Sequence, residues 1–136
     1  MREIYGYSDI SNIPVRGEKL ICLKNNHKEG LVNGYTFFAQ RNARNWDREK
    51  ESFDLMIDGK TYPVWEGDIL GIDPKEYNFF SNLERVDYGY AITCHKSQGS
   101  EYDSVIIIDE SWGKDKYKWL YTAVTRAKKK VILAYR

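Results

Sequence analysis

The sequence has little of what small secreted, zinc-binding or disulfide-stabilised proteins contain. Its 136 residues include two cysteines, two histidines and three prolines. Cys22 and Cys94 lie far apart, each within an apolar run, and no CxxC pair is present. We therefore expect reduced, buried thiols, and no zinc site built from these cysteines with His27 and His95.

Long hydrophobic runs are also absent. No apolar stretch approaches the roughly 20 residues that cross a bilayer, and the beginning of the chain, MREIYGYSD, lacks the pattern of a signal peptide. These absences predict a soluble, cytoplasmic protein that has no membrane partner.

Several catalytic motifs are missing as well. The chain has no GxxxxGK[ST] phosphate loop and no GxSxG nucleophile turn. The run VIIIDE (105–110) looks like the magnesium-binding strand of an ATPase. Because strand ends often carry acids and no phosphate loop is present to bring the ion, we expect no metal at Asp109 and Glu110.

Charge is balanced overall, at +1, but it is unevenly distributed. Residues 114–136 contain eight lysines and arginines and one acid, Asp115. A basic end of this kind is either a footprint for a polyanion or a solvated helix face and turn, and composition does not separate the two.

The first part of the chain is typical of short strands. Apolar runs at 17–26 and 30–40 are broken by tight turns, and residues 52–65 form two alternating runs on either side of Asp58-Gly59. An Asp-Gly pair suits the positive φ angles of a type I′ turn, so this segment predicts a hairpin. Several short, aromatic-rich strands between about 35 and 75 predict a small β-barrel.

The pattern changes after residue 85. We expect a strand at 88–93, one helical turn at 94–99 between Thr93 and Gly99, and a strand at 104–108 that is covered on both faces in a parallel sheet. Apolar spacing predicts a helix within 114–130, followed by a strand at 131–135. The whole is an α/β fold in which the N-terminal strand and the C-terminal half share one sheet, with a barrel inserted between them.

Two stretches resemble the motifs of a known enzyme family. YAITCHKSQGSEYDSVII (90–107) closely resembles motif V of superfamily 1 DNA helicases of the RecD and Dda kind, which are UvrD-type enzymes, and LYTAVTRAKKKVIL (120–133) resembles their motif VI. GEKLICLKNNHKEGLVNG (17–34) resembles the strand and turn before their SH3-like insertion. The resemblance implies a partial RecA-like parallel sheet, the second motor lobe, over residues 1–34 and 86–136, with an SH3-like β-barrel inserted at 35–85.

The resemblance also implies roles at a nucleotide. ATP with Mg²⁺ would lie between two lobes, held mainly by a first lobe that this chain lacks, so the chain alone would bind neither. Arg126 matches the motif VI arginine that reaches the γ-phosphate, and Gly99, Glu101 and Gln98 match motif V positions at the nucleotide. The simpler alternatives are an arginine that caps its own helix or pairs with an acid, a helix-ending glycine and a surface acid.

Motif V also meets single-stranded DNA in that family. The resemblance assigns this contact to Thr93, His95, Lys96 and Ser97, whose hydroxyl, imidazole and ammonium groups donate to phosphate oxygens. Lys24 and Asn25 are weaker candidates. Aromatic residues of the insertion, namely Tyr35, Phe37, Phe38, Trp46 and Trp65, either stack bases or fill the core.

The predicted function is therefore that of a C-terminal fragment of an ATP-dependent DNA helicase. Its partners would be single-stranded DNA and the N-terminal RecA-like lobe, and alone it would not hydrolyse ATP. One alternative is a non-catalytic module that binds nucleic acid or protein on a helicase-like scaffold. A third possibility is an SH3-like peptide-docking domain, which would bind proline-rich peptides without salt-sensitive DNA affinity.

Overall fold

The structure is a computed structural model that describes residues 12–135. The chain forms two compact units that divide between Ala91 and Ile92. Among the described residues, no helix is both long enough and apolar enough to span a membrane.

The first unit is built mainly from strands. Helix α1 (Gly67–Leu70) and a 3₁₀ turn (Pro74–Glu76) connect its last two strands. The strands are β1 (Lys19–Cys22), β2 (Thr36–Phe38), β3 (Arg44–Asp47), β4 (Ser52–Ile57), β5 (Lys60–Trp65) and β6 (Val86–Tyr88).

Strand β1 lies in the centre of a three-stranded antiparallel sheet. Its neighbours are β2, with Leu20 opposite Phe37, and β6, with Leu20 opposite Tyr88. Both edges of β1 are thus occupied. The prediction that this strand shares a sheet with the C-terminal half holds for residues 86–88 and is wrong for the later strands, which pair with each other. The predicted domain boundaries at 34/35 and 85/86 stay a prediction.

The hairpin predicted at 52–65 is confirmed. Strands β4 and β5 pair antiparallel from Ser52↔Trp65 to Ile57↔Lys60, and Asp58 and Gly59 take φ angles of 48° and 83°. These positive angles are the ones that a type I′ turn requires. Strand β3 adds to β4 as the outer strand.

The two sheets share one apolar core. Leu20, Phe37 and Val86 from the first sheet cluster with Phe53 and Leu55 from the second. The sheets are joined at one side, where Val64 of β5 forms a parallel bridge with Glu84. Within residues 12–91 the strands form two open three-stranded sheets and no closed barrel, so the SH3-like barrel is not confirmed.

The second unit has an α/β order, with β7 (Tyr102–Asp109), α2 (Lys116–Val124) and β8 (Ala127–Tyr135). Strands β7 and β8 pair in parallel, with Ile106 opposite Ile132 and Ile107 opposite Leu133. The predicted α/β class with a parallel pair is confirmed. Helix α2 connects the two strands and is the crossover that a parallel pair requires.

Three local predictions are wrong. The strand predicted at 88–93 ends at Tyr88, and the Gly89 amide makes the last contact with β1 by donating to the Lys19 carbonyl at 2.8 Å. The helix ends at Val124, and β8 begins already at Ala127. Strand β7 is not covered on both faces: Ile107 is 4% exposed, whereas Ile106 and Ile108 are 67% and 62% exposed.

Candidate nucleotide and nucleic-acid site

The predicted turn after Thr93 forms as expected. The Ser97 amide donates to the Thr93 carbonyl at 3.1 Å, and the Lys96 amide donates to the Thr93 hydroxyl oxygen at 3.3 Å. Gly99 ends the turn at φ +81°, in the left-handed region that glycine adopts without strain. Both predicted ends of the turn, the Thr93 cap and the glycine stop, are therefore present.

The turn divides its side chains between solvent and the interior. Thr93, His95, Lys96 and Gln98 are exposed. Ser97 is 7% exposed, and its hydroxyl donates to the Cys94 carbonyl at 2.6 Å. Ser97 therefore stabilises the turn from inside and has no free hydroxyl for a phosphate, unlike the predicted DNA contact.

Arg126 lies just after α2, and its half-buried side chain reaches the end of the turn. Its guanidinium donates to the Ser100 carbonyl at 3.3 Å, the Thr122 carbonyl at 3.2 Å and the Thr125 hydroxyl at 3.3 Å. All three acceptors are neutral, and no carboxylate among residues 12–135 lies within 4.0 Å of this guanidinium. The helix-capping alternative is thus observed, and pairing with an acid is not.

The backbone fastens the same two segments together. The Tyr102 amide donates to the Arg126 carbonyl at 2.8 Å, and Ala127 lies opposite Tyr102 where β8 begins beside β7. This pairing brings the turn that contains Gly99 next to the arginine, although they are far apart in sequence. The structure therefore places the predicted motif V and motif VI residues at one end of one sheet.

Cys94 is a neighbour of this cluster that sequence reasoning treated only as a buried thiol. Its thiol lies 3.6 Å from the Trp119 carbonyl of α2. Burial raises the pKa of the Cys94 thiol, and the charge of Arg126 opposes that rise. Its position between the turn and the helix follows from its place inside motif V, which was the available signal.

Gly99 and Glu101 occupy open positions beside the arginine. Gly99 is exposed, with no atom within 4 Å of the place where a Cβ would stand. Glu101 forms an ion pair with Lys128 at 3.1 Å, and both side chains are more than half exposed. An exposed ion pair of this kind contributes little and is easily exchanged for another partner.

Asp109, at the end of β7, is engaged by the protein itself. Its carboxylate, 4% exposed, accepts the Ser111 hydroxyl and the Ser111 amide, the latter at 3.0 Å, and lies 3.6 Å from the Lys116 ammonium. These contacts lower the pKa of Asp109, and the hydrogen bond from the Ser111 hydroxyl contributes most to the shift. Residues 12–135 contain no group of three or more His, Cys, Asp or Glu side chains placed to hold a metal ion.

The weaker DNA candidates lie in the first unit and are engaged there. The Lys24 ammonium donates to the Tyr77 hydroxyl at 3.1 Å and the Leu83 carbonyl at 3.2 Å, and the Asn25 side chain accepts the Asn33 amide at 2.8 Å. Both interactions hold loops of the unit together.

The aromatic candidates divide by exposure. Phe37 and Trp65 are 7% and 2% exposed and belong to the interior. Trp46 is half-buried, and its indole N–H donates a hydrogen bond to the Glu66 carboxylate. Tyr35 and Phe38 are 41% and 64% exposed. Only the last two therefore present an open ring face of any size.

Comparison with solved structures identifies the class of fold. A Pif1 helicase from a structure of two Pif1 helicases at forked double-stranded DNA superposes with a TM-score of 0.55 and 21% identity, over 87% of this chain and 27% of the other. Bacteroides Pif1 in complex with ADP-AlF3 and single-stranded DNA gives a TM-score of 0.51 and 20% identity, over 88% and 29%. At these identities the likeness concerns the fold alone.

Comparison at the level of sequence gives a match within the C-terminal part of the chain. Residues 88–134 match the UvrD-like helicase C-terminal domain. The resemblance of this chain to the C-terminal part of superfamily 1 helicases is thereby confirmed.

A curated relative matches a longer stretch. The Uncharacterized protein MJ1519 of Methanocaldococcus jannaschii is 30% identical over 126 residues, which is 84% of this chain and 10% of that protein. The chain thus spans about a tenth of this relative and under a third of the two helicase chains.

Proposed function

We propose that this chain is the C-terminal portion of an ATP-dependent DNA helicase, a motor that moves on single-stranded DNA. The observation that carries the proposal is the contact between the Arg126 guanidinium and the Ser100 carbonyl. This contact brings two motifs that are distant in sequence together on one face. Both motifs lie within the segment that matches the UvrD-like helicase C-terminal domain.

Arg126 has the chemistry of an arginine finger. Its planar guanidinium forms two parallel hydrogen bonds to phosphate oxygens and stays protonated, so it stabilises the charge that develops on a transferred phosphoryl group. Its present hydrogen bonds, at 3.2–3.3 Å to neutral acceptors, are long. A γ-phosphate would replace these neutral acceptors with charged oxygens, which a guanidinium can bind through two parallel hydrogen bonds.

ATP with Mg²⁺ would be the cofactor of such a motor. The phosphate loop and the metal ligands would come from the N-terminal RecA-like lobe, since this chain contains no phosphate-loop motif. Gly99 would leave room for the nucleotide to approach the backbone, Glu101 would exchange Lys128 for the ribose, and Gln98 would lie beside them. By this proposal the chain alone hydrolyses no ATP.

The turn would contact single-stranded DNA through its exposed side. The side chains of His95 and Lys96 are exposed and form no hydrogen bond or ion pair with residues 12–135. The Thr93 hydroxyl, which accepts the Lys96 amide, keeps its proton for a phosphate oxygen. One short segment would then face DNA on one side and nucleotide on the other, and so couple the two.

The first unit would be the SH3-like subdomain of such a motor. Two features support this inference: its six strands enclose a single core, and the Val64–Glu84 bridge joins its two sheets on one side. The predicted insertion at 35–85 accounts for β2 to β5, and the inference extends it to β1 and β6. Tyr35 and Phe38 are its exposed candidates for base stacking.

A non-catalytic binding module on the same scaffold is the second candidate function. The absence of a phosphate loop from the sequence is the observation that favours it. The coding sequence around this chain distinguishes the two candidates, because a phosphate-loop motif and a metal-binding acid motif upstream in the same frame define a motor.

The experiment is a fluorescence anisotropy titration of the 136-residue chain with a labelled oligothymidine at several salt concentrations. We expect binding that weakens steeply with salt, and a His95→Ala/Lys96→Ala variant whose logarithmic salt slope is smaller by about 0.7 for each lost phosphate contact.

Lys118→Ala is the matched control. Its side chain is 87% exposed in the same unit and pairs only with Asp115, so its salt slope should equal that of the unchanged protein. Affinity that is flat across the salt series, or equal losses in the turn variant and the control, would contradict the proposed contact.

A further inference from the structure

The first unit carries a shallow groove that no predicted site includes. It lies on the outer surface of the β3–β4–β5 sheet and encloses about 200 Å³. The residues that line it are Arg41, Asn42, Arg44, Asn45, Asp54, Met56 and Thr61. Sequence reasoning passed over this segment because its arginines lie in a run of mixed charge, RNARNWDREK (41–50).

The two arginines of the groove are presented without an acid partner. Arg41 donates to the Thr61 hydroxyl at 3.1 Å, which holds its guanidinium over the sheet. The Arg44 side chain is exposed and forms no hydrogen bond or ion pair with any residue from 12 to 135. Their charges therefore remain available to an anion.

The single acid of the groove is partly satisfied by an amide. Asp54 lies opposite Arg44 in the strand register, yet its carboxylate accepts the side-chain NH₂ group of Asn45 at 2.7 Å and forms no ion pair with Arg44. Asn45 reaches it from a left-handed conformation, φ 53°, at the irregular register of β3. The bulge thus turns an amide toward the acid and leaves the guanidinium groups free.

Neutral donors complete the lining. The Asn42 side-chain oxygen accepts the Arg16 amide at 2.9 Å, which fixes the side chain and leaves its amide NH₂ group free to donate. Two guanidinium groups beside amide and hydroxyl donors are the composition of a phosphate-binding surface, because arginine presents a planar fork to phosphate oxygens. The groove is too open and polar for an apolar ligand.

We propose that this groove binds a phosphate group, and that the phosphate belongs to the backbone of single-stranded nucleic acid. The assignment to nucleic acid rests on the proposed function, whereas the assignment to phosphate rests on the groove alone. Arginines that contact the backbone position a strand without reading its sequence, so the groove would add affinity and not base preference.

The test compares oligothymidine affinity of the whole chain with that of Arg44→Gln and Arg41→Gln/Arg44→Gln. We expect affinity to fall roughly tenfold for each charged hydrogen-bond donor that is removed, and the salt slope to decrease by about 0.7 per contact. If the double variant fails to fold, Arg44→Gln alone still tests the proposal, because the Arg44 side chain forms no hydrogen bond or ion pair with residues 12–135 that the fold would lose.

Arg48→Gln is the matched control, since Arg48 lies in the same segment, stacks over Trp46 and lines a different surface. It should leave affinity unchanged. Equal affinity of Arg44→Gln and the unchanged protein, or an equal loss in Arg48→Gln, would overturn the groove as a binding site.

Two further measurements distinguish a nucleic-acid backbone from a free nucleotide as the source of the phosphate, and distinguish failure of the groove from failure of the proposed function. Amide chemical shifts of residues 41–45 that move equally with a mononucleotide and with oligothymidine would overturn the nucleic-acid assignment. Loss of affinity in the His95→Ala/Lys96→Ala variant but not in the groove variants would refute the groove and leave the proposed function standing. The opposite pattern would support the groove and contradict the turn.

Discussion

Arg85 and Asp68 form the best-defined ion pair of the first unit. The guanidinium donates from Nε and Nη2 to the two carboxylate oxygens at 2.9 and 2.6 Å, and the side chains are 16% and 5% exposed. The guanidinium also lies 5.1 Å from the Tyr77 ring centroid and 5.7 Å from that of Trp65. The hydrogen bond to Asp68 raises the pKa of Arg85, so the guanidinium stays charged.

Asp68→Asn should destabilise the protein by about 3 kcal/mol, because it leaves a largely buried guanidinium without its counter-charge. Urea unfolding measures this loss. Asp115→Asn removes the same charge from an exposed pair, 83% accessible, and should cost under about 0.5 kcal/mol. Similar losses for the two variants would show that the Arg85 pair is not buried as described.

Asp109 should make the stability of the protein depend on pH in the acid range. The Ser111 hydroxyl and amide and the Lys116 ammonium hold its pKa below the ordinary value of 3.8. A carboxyl whose folded pKa is depressed stabilises the protein fully above its unfolded pKa, and this contribution disappears as pH falls through the folded value.

The measurement is a carboxyl-carbon NMR titration, in which the midpoint of Asp109 should lie below the ordinary pKa of an aspartate. The stability difference between the unchanged protein and Asp109→Asn should likewise shrink as the pH is lowered below the ordinary range. A midpoint for Asp109 at or above the ordinary aspartate pKa would contradict the contacts with Ser111.

Elements differ in how far the sequence predicts them. The hairpin at Asp58-Gly59 and the turn between Thr93 and Gly99 are predictable because the local backbone there demands particular residues. The partners of β1 are not predictable, since an apolar strand has the same sequence pattern in parallel and in antiparallel pairing. The end of α2 is missed because Ala127 fits both a helical and a strand period, and no glycine or proline marks the change.

The same limit applies to the candidate site. Arg126 and Gly99 are found from motifs, and their proximity follows from the parallel pairing of β7 and β8. The inward position of Ser97 was not predictable, because its orientation is set by a hydrogen bond to the Cys94 carbonyl three residues earlier. The groove at Arg41 and Arg44 depends on a strand bulge, which has no sequence signature here.

Strand β7 offers a test at the scale of the element. Ile107 packs on the covered side and Ile106 faces the open side of the same strand. Ile107→Ala should cost about 2–5 kcal/mol, whereas Ile106→Ala should cost far less, since an exposed side chain buries little apolar area. Thermal or urea unfolding measures the loss of stability in each variant. Equal losses for the two variants would mean that the open face of β7 is covered in solution.

At the scale of the whole molecule, the exposed face of β7 and the unpaired charge of Arg126 fit the same proposal. Parallel sheets are normally covered on both faces, and in this unit only one is covered within residues 92–135. Both features are expected of a lobe that works against further protein, as the proposed N-terminal lobe would provide.

The most direct measurement is DNA-stimulated ATP hydrolysis by the protein in which these residues are joined to a phosphate-loop lobe. Arg126→Lys keeps the charge but loses the fork, and by this account kcat should fall about 10³-fold, while Lys118→Gln leaves it unchanged. Melting temperatures of the variants check that folding is intact. A well-folded Arg126→Lys protein with undiminished kcat would contradict the claim that this chain supplies a guanidinium to a phosphate bound by the other lobe.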